Sequence, residues 1–393
     1  MRFRLLLTLL VAASLGGTLL CAQNPSKPRA RGLGVPFDGT PGALDAITDV
    51  AGVEVGSTTL ISGSGALKVG EGPVRTGVTV VLPRGKASAE PVYAGWFSLN
   101  GNGEMTGTTW VEESGFLEGP VAITNTHSVG VVRDAMIAWG LKHGAQAQPW
   151  SLPVVAETWD GWLNDINGFH VKAEDVFSAL DGAHGGSVSE GNVGGGTGMV
   201  CYGFKGGTGT ASRVLSAEMG GYTVGVLVQC NCGRRPQLTI AGVPVGREIP
   251  DGAPYAELAL PKRPGGEAEG DVGSIIIVIA TDAPLLPHQL KRLARRATLG
   301  LARTGSTSGN GSGDIFIAFS TANAGADKTP GPNAVRTVSN ERISPLFTAT
   351  VEATEEAIVN AMVGAETMTG IDGHTVNALP HEDLKRVLGK YNR

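Results

Sequence analysis

Two serines in this chain of 393 residues stand where a hydroxyl could become a nucleophile. Ser274 follows Gly273 at the point where a polar loop, Pro261 to Val272 (PKRPGGEAEGDV), gives way to an apolar run, Ser274 to Ala280 (SIIIVIA). A serine at the first position of a buried strand is most simply a strand-edge residue. It gains a second meaning if the Gly273–Ser274 bond is cut. Ser274 then carries both a hydroxyl and an α-amine, whose reference pKa of about 7.7–8.0 makes it a base near neutral pH. Nucleophile and base would belong to one residue, which meets the need for an activated hydroxyl. Glycine at position 273 would allow strained dihedrals that favour attack by that hydroxyl. Ser312, in Gly311-Ser-Gly-Asp, also lies between a glycine-rich loop (GSTSGNG) and an apolar run. Residue types alone leave Ser274 and Ser312 in competition. A Gly-x-Ser-x-Gly elbow at Ser308 or Ser312 fits poorly, because the spacing is wrong and no His follows with a convincing Asp partner.

Other chemistry has weaker support. Asn192 to Gly198 (NVGGGTG) has the glycine content of a phosphate-cradling loop, which is weak evidence in a chain with 59 glycines. Beyond Cys21 the chain holds Cys201, Cys230 and Cys232. An odd number implies no disulfide framework. The Cys230-x-Cys232 spacing is too short for an easy bridge, and no second pair completes a zinc site. All three are expected to be small buried residues. The seven His lack His-x-x-x-His spacing, so no metal is implied.

The elements around these residues must be mostly buried. Hydrophobic residues are 41% and charged residues only 17%, against a usual ~25% charged. Disorder is excluded on that ground. The formal net charge of −5 disfavours nucleic acid as a partner. Strands are predicted at Thr76 to Leu82, Pro91 to Leu99, Val121 to Thr124, Tyr222 to Val228, Ser274 to Ala280 and Asp314 to Ser320. Helices are predicted at Val131 to His143, at Ala173 to Leu180, and from Ser344-Pro345 to about Met362. A further helix is predicted to start at the Thr281-Asp282-Ala283-Pro284 signal. It carries Leu286, Leu290, Leu293, Ala297 and Leu301 on one side. Lys291, Arg292, Arg295 and Arg296 form a solvated face on the other. Two layers of sheet covered by helices fit this order.

The N-terminus reads as an address. Arg2 and Arg4 precede the apolar stretch Leu5 to Leu20, and the segment ends at Cys21-Ala22. That is the pattern of a secretory signal peptide, residues 1–22. Its removal takes two Arg and no acid, which moves the net charge from −5 to −7. Residues 23–33 are expected to be a flexible leader and residues 34–393 one catalytic domain. No stable membrane insertion is expected.

Several long stretches carry a family resemblance. They are Glu157-Thr-Trp-Asp-Gly-Trp-Leu-Asn-Asp, Gly191-Asn-Val-Gly-Gly-Gly-Thr-Gly-Met, Val228-Gln-Cys-Asn-Cys-Gly-Arg-Arg-Pro, Gly273-Ser-Ile-Ile-Ile-Val-Ile-Ala-Thr-Asp-Ala-Pro-Leu and Gly311-Ser-Gly-Asp-Ile. In this order the chain, from about residue 32 onward, resembles the P1/DmpA-like (peptidase S58) family. These are self-processing N-terminal-nucleophile aminopeptidases that include the L-aminopeptidase/D-esterase and β-aminopeptidase enzymes. The resemblance implies an α/β fold, a four-layer α-β-β-α sandwich of the DmpA/ornithine-acetyltransferase-like type. It also decides between the serines. The precursor would cut itself between Gly273 and Ser274, leaving a β-chain that starts at Ser274. Ser274 would be the nucleophile and Ser312 the second active-site serine. Asp314 would be the carboxylate two residues further on, where better-known members carry Glu. Asn231 would be the oxyanion donor, a task suited to a side-chain amide. Glu157 would hold the substrate's free amine. Trp159 falls where the aminopeptidase/esterase has a Tyr; an indole has no oxygen for proton transfer, so pocket shaping is its expected role.

The reading is a secreted, periplasmic aminopeptidase acting on small peptides, amino-acyl amides or esters. No cofactor is required, and a homo-oligomer of αβ units, a tetramer by resemblance, is expected. Two alternatives share the fold: a non-catalytic periplasmic binding protein for amines or peptides, and an amino-acid acyltransferase. The joint presence of Ser274, Asn231 and Ser312 speaks against the first. The serine nucleophile and the secretion signal speak against the second.

Overall fold

The computed structural model describes residues 27–144, 148–254, 273–328 and 331–393. The expected signal peptide, residues 1–22, and the loop from Pro261 to Val272 lie outside the described residues. In chain order the strands begin with β1 (Glu54–Ser62), β2 (Val74–Leu82), β3 (Val92–Ser98), β4 (Phe116–Leu117), β5 (Val121–Asn125) and β6 (Val154–Thr158). They continue with β7 (Val200–Cys201), β8 (Phe204–Lys205), β9 (Gly207–Val214), β10 (Thr223–Asn231), β11 (Ser274–Thr281) and β12 (Ile315–Ser320). The helices used below are α1 (Thr108–Ser114), α2 (Val129–His143), α3 (Ala173–Asp181), α4 (Val245–Glu248), α5 (Pro287–Arg303) and α6 (Ser344–Val363).

Two large sheets result, ordered β1-β2-β5-β6 and β4-β3-β12-β11-β10-β9, beside small two-stranded ones. Their apolar residues sort into three cores. One lies between the sheets and includes Val81, Ile123, Ala156, Ile276, Val278 and Phe319. A second packs α2 and α3 on the outer face of the four-stranded sheet. The third packs α5 and α6 on the outer face of the six-stranded sheet. Helix, sheet, sheet and helix therefore form the expected four-layer α-β-β-α sandwich, each sheet covered on both faces.

Strand β11 shows why the sequence folds this way. Ile275, Ile277 and Ile279 point to the α5/α6 side, while Ile276, Val278 and Ala280 point between the sheets. A run apolar at every position belongs in a strand buried on both faces. The period of two then places Ser274, in phase with Ile276, on the inter-sheet side.

Three expectations need correction. The helix after β11 starts at Pro287, not at the Thr281–Pro284 signal. Asp282 instead accepts the Thr223 N–H at 2.8 Å and tethers the head of β10. Gln289 reaches back to the Leu286 N–H at 3.0 Å, half of a capping box. The basic face of α5 also does more than meet solvent: Arg292 and Arg296 lie 5.1 and 4.0 Å from the Phe347 ring centre, and Arg295 lies 5.3 Å from that of Phe97. The end of the expected leader is docked as well. Ala30 is fully buried, and its N–H donates to Asn360 Oδ1 at 3.0 Å.

Candidate active site

The strand directions bring four strand ends to one edge of the six-stranded sheet. β11 and β12 run parallel, so both begin at that edge. β10 runs antiparallel to β11 and ends there, with Asn231 directly opposite Ser274. β3, antiparallel to β12, also ends there and continues into Leu99 to Gly103. In the other sheet β5 and β6 are parallel and end at Asn125 and Thr158, which delivers Thr126, Glu157 and Trp159.

Ser274 is buried, and its Oγ accepts the Gly313 N–H at 3.0 Å. Ser312 and Asp314 flank that glycine. The Ser312 hydroxyl donates to Asp314 Oδ1 at 2.7 Å, and the same oxygen accepts the Ile275 N–H at 3.1 Å. Asp314 thus ties the Ser312 loop to the residue that follows Ser274. The shorter Asp side chain, where resemblance expects Glu, reaches the backbone beside the nucleophile.

Asn231 is held at both ends of its amide. Oδ1 accepts the Val200 N–H at 2.8 Å, and Nδ2 donates to the Trp159 carbonyl at 2.9 Å. These contacts set the amide orientation and use one of its two N–H groups. Trp159 therefore contributes through its carbonyl, while its indole lies over Gly161.

Two glycines are required by close approach. A Cβ on Gly273 would sit 2.0 Å from the Asn231 carbonyl oxygen, so only glycine lets the chain pass the end of β10 here. A Cβ on Gly313 would sit 2.5 Å from the Asn102 carbonyl oxygen.

Glu157 is buried; its Oε1 accepts the Glu104 N–H at 2.9 Å, and its Oε2 accepts the Thr126 hydroxyl. Burial raises its pKa, opposed by those two hydrogen bonds. Oε1 lies 3.3 Å from where a Gly103 Cβ would be, and Gly313 Cα lies 3.0 Å from that same point. The acid and the serine loop therefore share one neighbourhood, separated by the glycine segment.

Residue patterns did not single out the supporting polar groups. Asn100 accepts the Asp314 N–H at 2.6 Å and donates to the carbonyls of Ser308 and Gly309, each at 3.2 Å. Asn102 donates through Nδ2 to the Gly311 carbonyl at 2.8 Å. Together they staple the Ser312 loop to the end of β3. Asp160 is fully buried, and burial pushes it up to about 7 against hydrogen bonds from Thr76, Asn164 and Asn125. Lys205 is also fully buried. Its ammonium donates to the carbonyls of Met199 and Gly206 at 2.8 Å, and burial pushes it down to about 7. Arg235, inside the Val228–Pro236 stretch, donates to the carbonyls of Tyr202, Gly203, Ile249 and Asp251.

Three weaker readings resolve. The N–H groups of Gly194 and Gly195 are taken by the hydroxyls of Thr59 and Thr79, at 2.8 and 3.1 Å. The donors a phosphate would need there are already used. Among the described residues no His is hydrogen-bonded to Ser308 or Ser312. The three cysteines are buried as expected, but they are not unpaired: Cys201 and Cys230 form a disulfide. Cys232 keeps its thiol, with Sγ 3.8 Å from that of Cys230. The parity of the count concealed a bridge between residues 29 apart in sequence.

Fold and site together define a hydrolase of the N-terminal-nucleophile type. The l-aminopeptidase d-ala-esterase/amidase from Ochrobactrum anthropi, a prototype for the serine aminopeptidases and a variant of the Ntn hydrolase fold, superposes with a TM-score of 0.85. It is 50% identical and covers 93% of this chain and 99% of its own. A Burkholderia sp. beta-aminopeptidase superposes with a TM-score of 0.82 at 47% identity, covering 92% of this chain and 99% of its own. Residues 45–376 match the sequence model of Peptidase family S58. The chain belongs to that family, and it is an aminopeptidase. It is 57% identical over 392 residues to the beta-peptidyl aminopeptidase BapA of Sphingosinicella microcystinivorans, with 97% of each chain covered.

Proposed function

We propose that the chain is made as a precursor that cuts itself between Gly273 and Ser274, and that Ser274 then hydrolyses N-terminal amino-acyl peptides, amides or esters. The observation that carries this reading is the register of β10 on β11, which sets Asn231 against Ser274. In the uncut chain the Ser274 nitrogen is an amide and cannot act as a base. Oγ attacks the Gly273 carbonyl and its proton passes to the departing nitrogen, so that the peptide bond breaks as an ester forms and the Ser274 α-amine is freed. Water then hydrolyses the ester, releasing the Gly273 carboxylate and restoring the hydroxyl. That amine takes the Oγ proton when a substrate binds, and Oγ adds to the substrate carbonyl. The free N–H of the Asn231 amide supports the oxyanion. The leaving amine departs with a proton, and water releases the acyl group. Ser312 and Asp314 position the strand that carries the nucleophile. Glu157, as a carboxylate, holds the substrate's ammonium.

Identity to a beta-peptidyl aminopeptidase supports a β-amino-acyl preference. Residues 1–22 support export to the periplasm. The homotetramer of αβ units rests on the family resemblance.

Denaturing electrophoresis with N-terminal sequencing tests the scheme. The expected result is two bands, the smaller beginning Ser-Ile-Ile-Ile, with hydrolysis of β-amino-acyl p-nitroanilides ahead of their α-isomers. Ser274→Ala should stay as one chain and lose activity by more than about a thousandfold. A single intact band in an active preparation, or full activity of Ser274→Ala, overturns it.

A further inference from the structure

We infer that the Cys201–Cys230 disulfide is a positioning device for Asn231, so that opening this one bond lowers turnover while substrate binding persists. The inference rests on the proposed role of Asn231 as oxyanion donor. Its basis is connectivity. Asn231 follows Cys230 at the end of β10, and Val200, whose N–H holds Asn231 Oδ1, precedes Cys201 in β7. The disulfide and that hydrogen bond therefore join the same two dipeptides, Val200-Cys201 and Cys230-Asn231.

β7 needs such a link. Among the described residues it pairs with β8, in a separate two-stranded sheet, and no ladder ties it to β10. The turn after it is fastened by the Tyr202 N–H to the Cys232 carbonyl at 2.7 Å, by Arg235 on the carbonyls of Tyr202 and Gly203, and by the contacts of Lys205. The packing is built around the bridge. A Cβ on Gly206 would sit 2.4 Å from the Cys230 carbonyl oxygen and 2.7 Å from Cys201 Cβ. Both bridged sulfurs belong to fully buried residues. Freed from Cys230, the Val200–Cys201 segment keeps its hydrogen bonds and apolar packing but loses its one covalent link to β10, and the amide it orients can tilt away from the developing oxyanion. A misplacement of about 1 Å can cost roughly a hundredfold in rate.

An added dithiol opens the bond: it becomes a cyclic disulfide and leaves Cys201 and Cys230 as thiols.

The test uses the processed, active enzyme. Peptide mapping of alkylated protein, before and after dithiothreitol and again after reoxidation, reports which cysteines are bridged. kcat and KM on an amino-acyl p-nitroanilide are followed in parallel with the melting midpoint. The expected result is a Cys201–Cys230 peptide in the active enzyme. After reduction kcat falls at least tenfold with KM within about twofold, and it recovers on reoxidation. Cys201→Ala, which needs no access of reductant to a buried bond, should show the same kcat loss. In Asn231→Ala, reduction should cost nothing further. Three free thiols in fully active enzyme, or full kcat in reduced wild type or Cys201→Ala, overturns the inference and leaves the Asn231 assignment standing. An additional loss on reducing Asn231→Ala also overturns it, because the bond would then act by another route. Full kcat in Asn231→Ala itself sinks the oxyanion reading and the inference together.

Discussion

The two ends of strand β10 bury ionisable groups in opposite ways. At its head, Arg213 on the neighbouring β9 pairs with Val224 in the ladder and places its guanidinium in an ionic cluster. Arg213 meets Glu356 at 2.7 Å, Arg31 meets Glu356 at 2.7 Å, and Arg29 meets Glu190 at 2.8 Å and Asp45 at 3.1 Å. Roughly 20–25 Å along the strand lies the candidate site. There Glu157, Asp160 and Lys205 are buried among neutral donors and carbonyls. Burial has shifted all three toward their uncharged forms. Paired charges hold elements together, even where burial raises Asp45 and Glu190 among them. Buried groups with neutral partners can change protonation near neutral pH, a property found often at functional sites.

If that division is right, the cluster should fail in stability and the site in turnover. The largest effect is expected at Arg213. It is 1% exposed, and Arg213→Met keeps much of its volume while leaving Glu356 and Asp45 short of a cation. Breaking such a buried pair costs about 3–5 kcal/mol. Urea unfolding should show that loss, with kcat per folded molecule unchanged at low temperature. A matching fall in kcat would mean the two ends are not separable. Next is Asn231→Ala, expected to lower kcat by about 10²–10³-fold, as for removal of one oxyanion donor. Its unfolding midpoint should move little. A large stability loss with only a small change in kcat would place Asn231 with the cluster instead. Third, Glu157→Gln should raise KM about tenfold or more for substrates with a free amine, and much less for N-acetylated analogues. Equal change for both would remove the ammonium contact.

The contrast also explains what was legible in the sequence. β11 could be read because every position from Ile275 to Ala280 is apolar and both faces are buried. The four-layer order followed from strands and helices whose periodicity is local. Ser274, Asn231, Ser312 and Asp314 were legible through resemblance, and the sheet register then brings them to one edge. The cluster was not legible. Arg29 and Arg31 lie in a polar segment whose composition suggests a leader, and their partners sit up to 325 residues away. Asn100 and Asn102 read as turn residues, because an Asn-Gly repeat after a strand looks the same whether or not its amides staple a loop. The disulfide was hidden for a similar reason: pairing depends on which residues the hairpin of β7 and β8 brings beside β10.

The smallest expected effect is the most specific to the site's mode of burial. Asp160 is fully buried, and Asn164 donates to its Oδ1 at 3.0 Å. Its folded pKa, about 7, lies above the unfolded value of 3.8. Between those values the folded state binds the extra proton. The stabilising contribution is therefore present below pH 3.8 and is lost as pH rises through about 7. Asp160→Asn removes the ionisation and keeps a carbonyl acceptor for Asn164. At pH 4 the variant and the parent should melt within a degree or two of each other. At pH 8 the variant should melt several degrees higher, since it no longer pays for a buried charge. Identical pH slopes in the two proteins would show that Asp160 stays charged, sheltered by donors the hydrogen-bond pattern does not reveal. The same substitution at Asp45, whose folded pKa is also raised to about 7, sharpens the contrast. There Arg29 faces the carboxylate, so loss of the ion pair should offset the gain and leave the variant no more stable at pH 8.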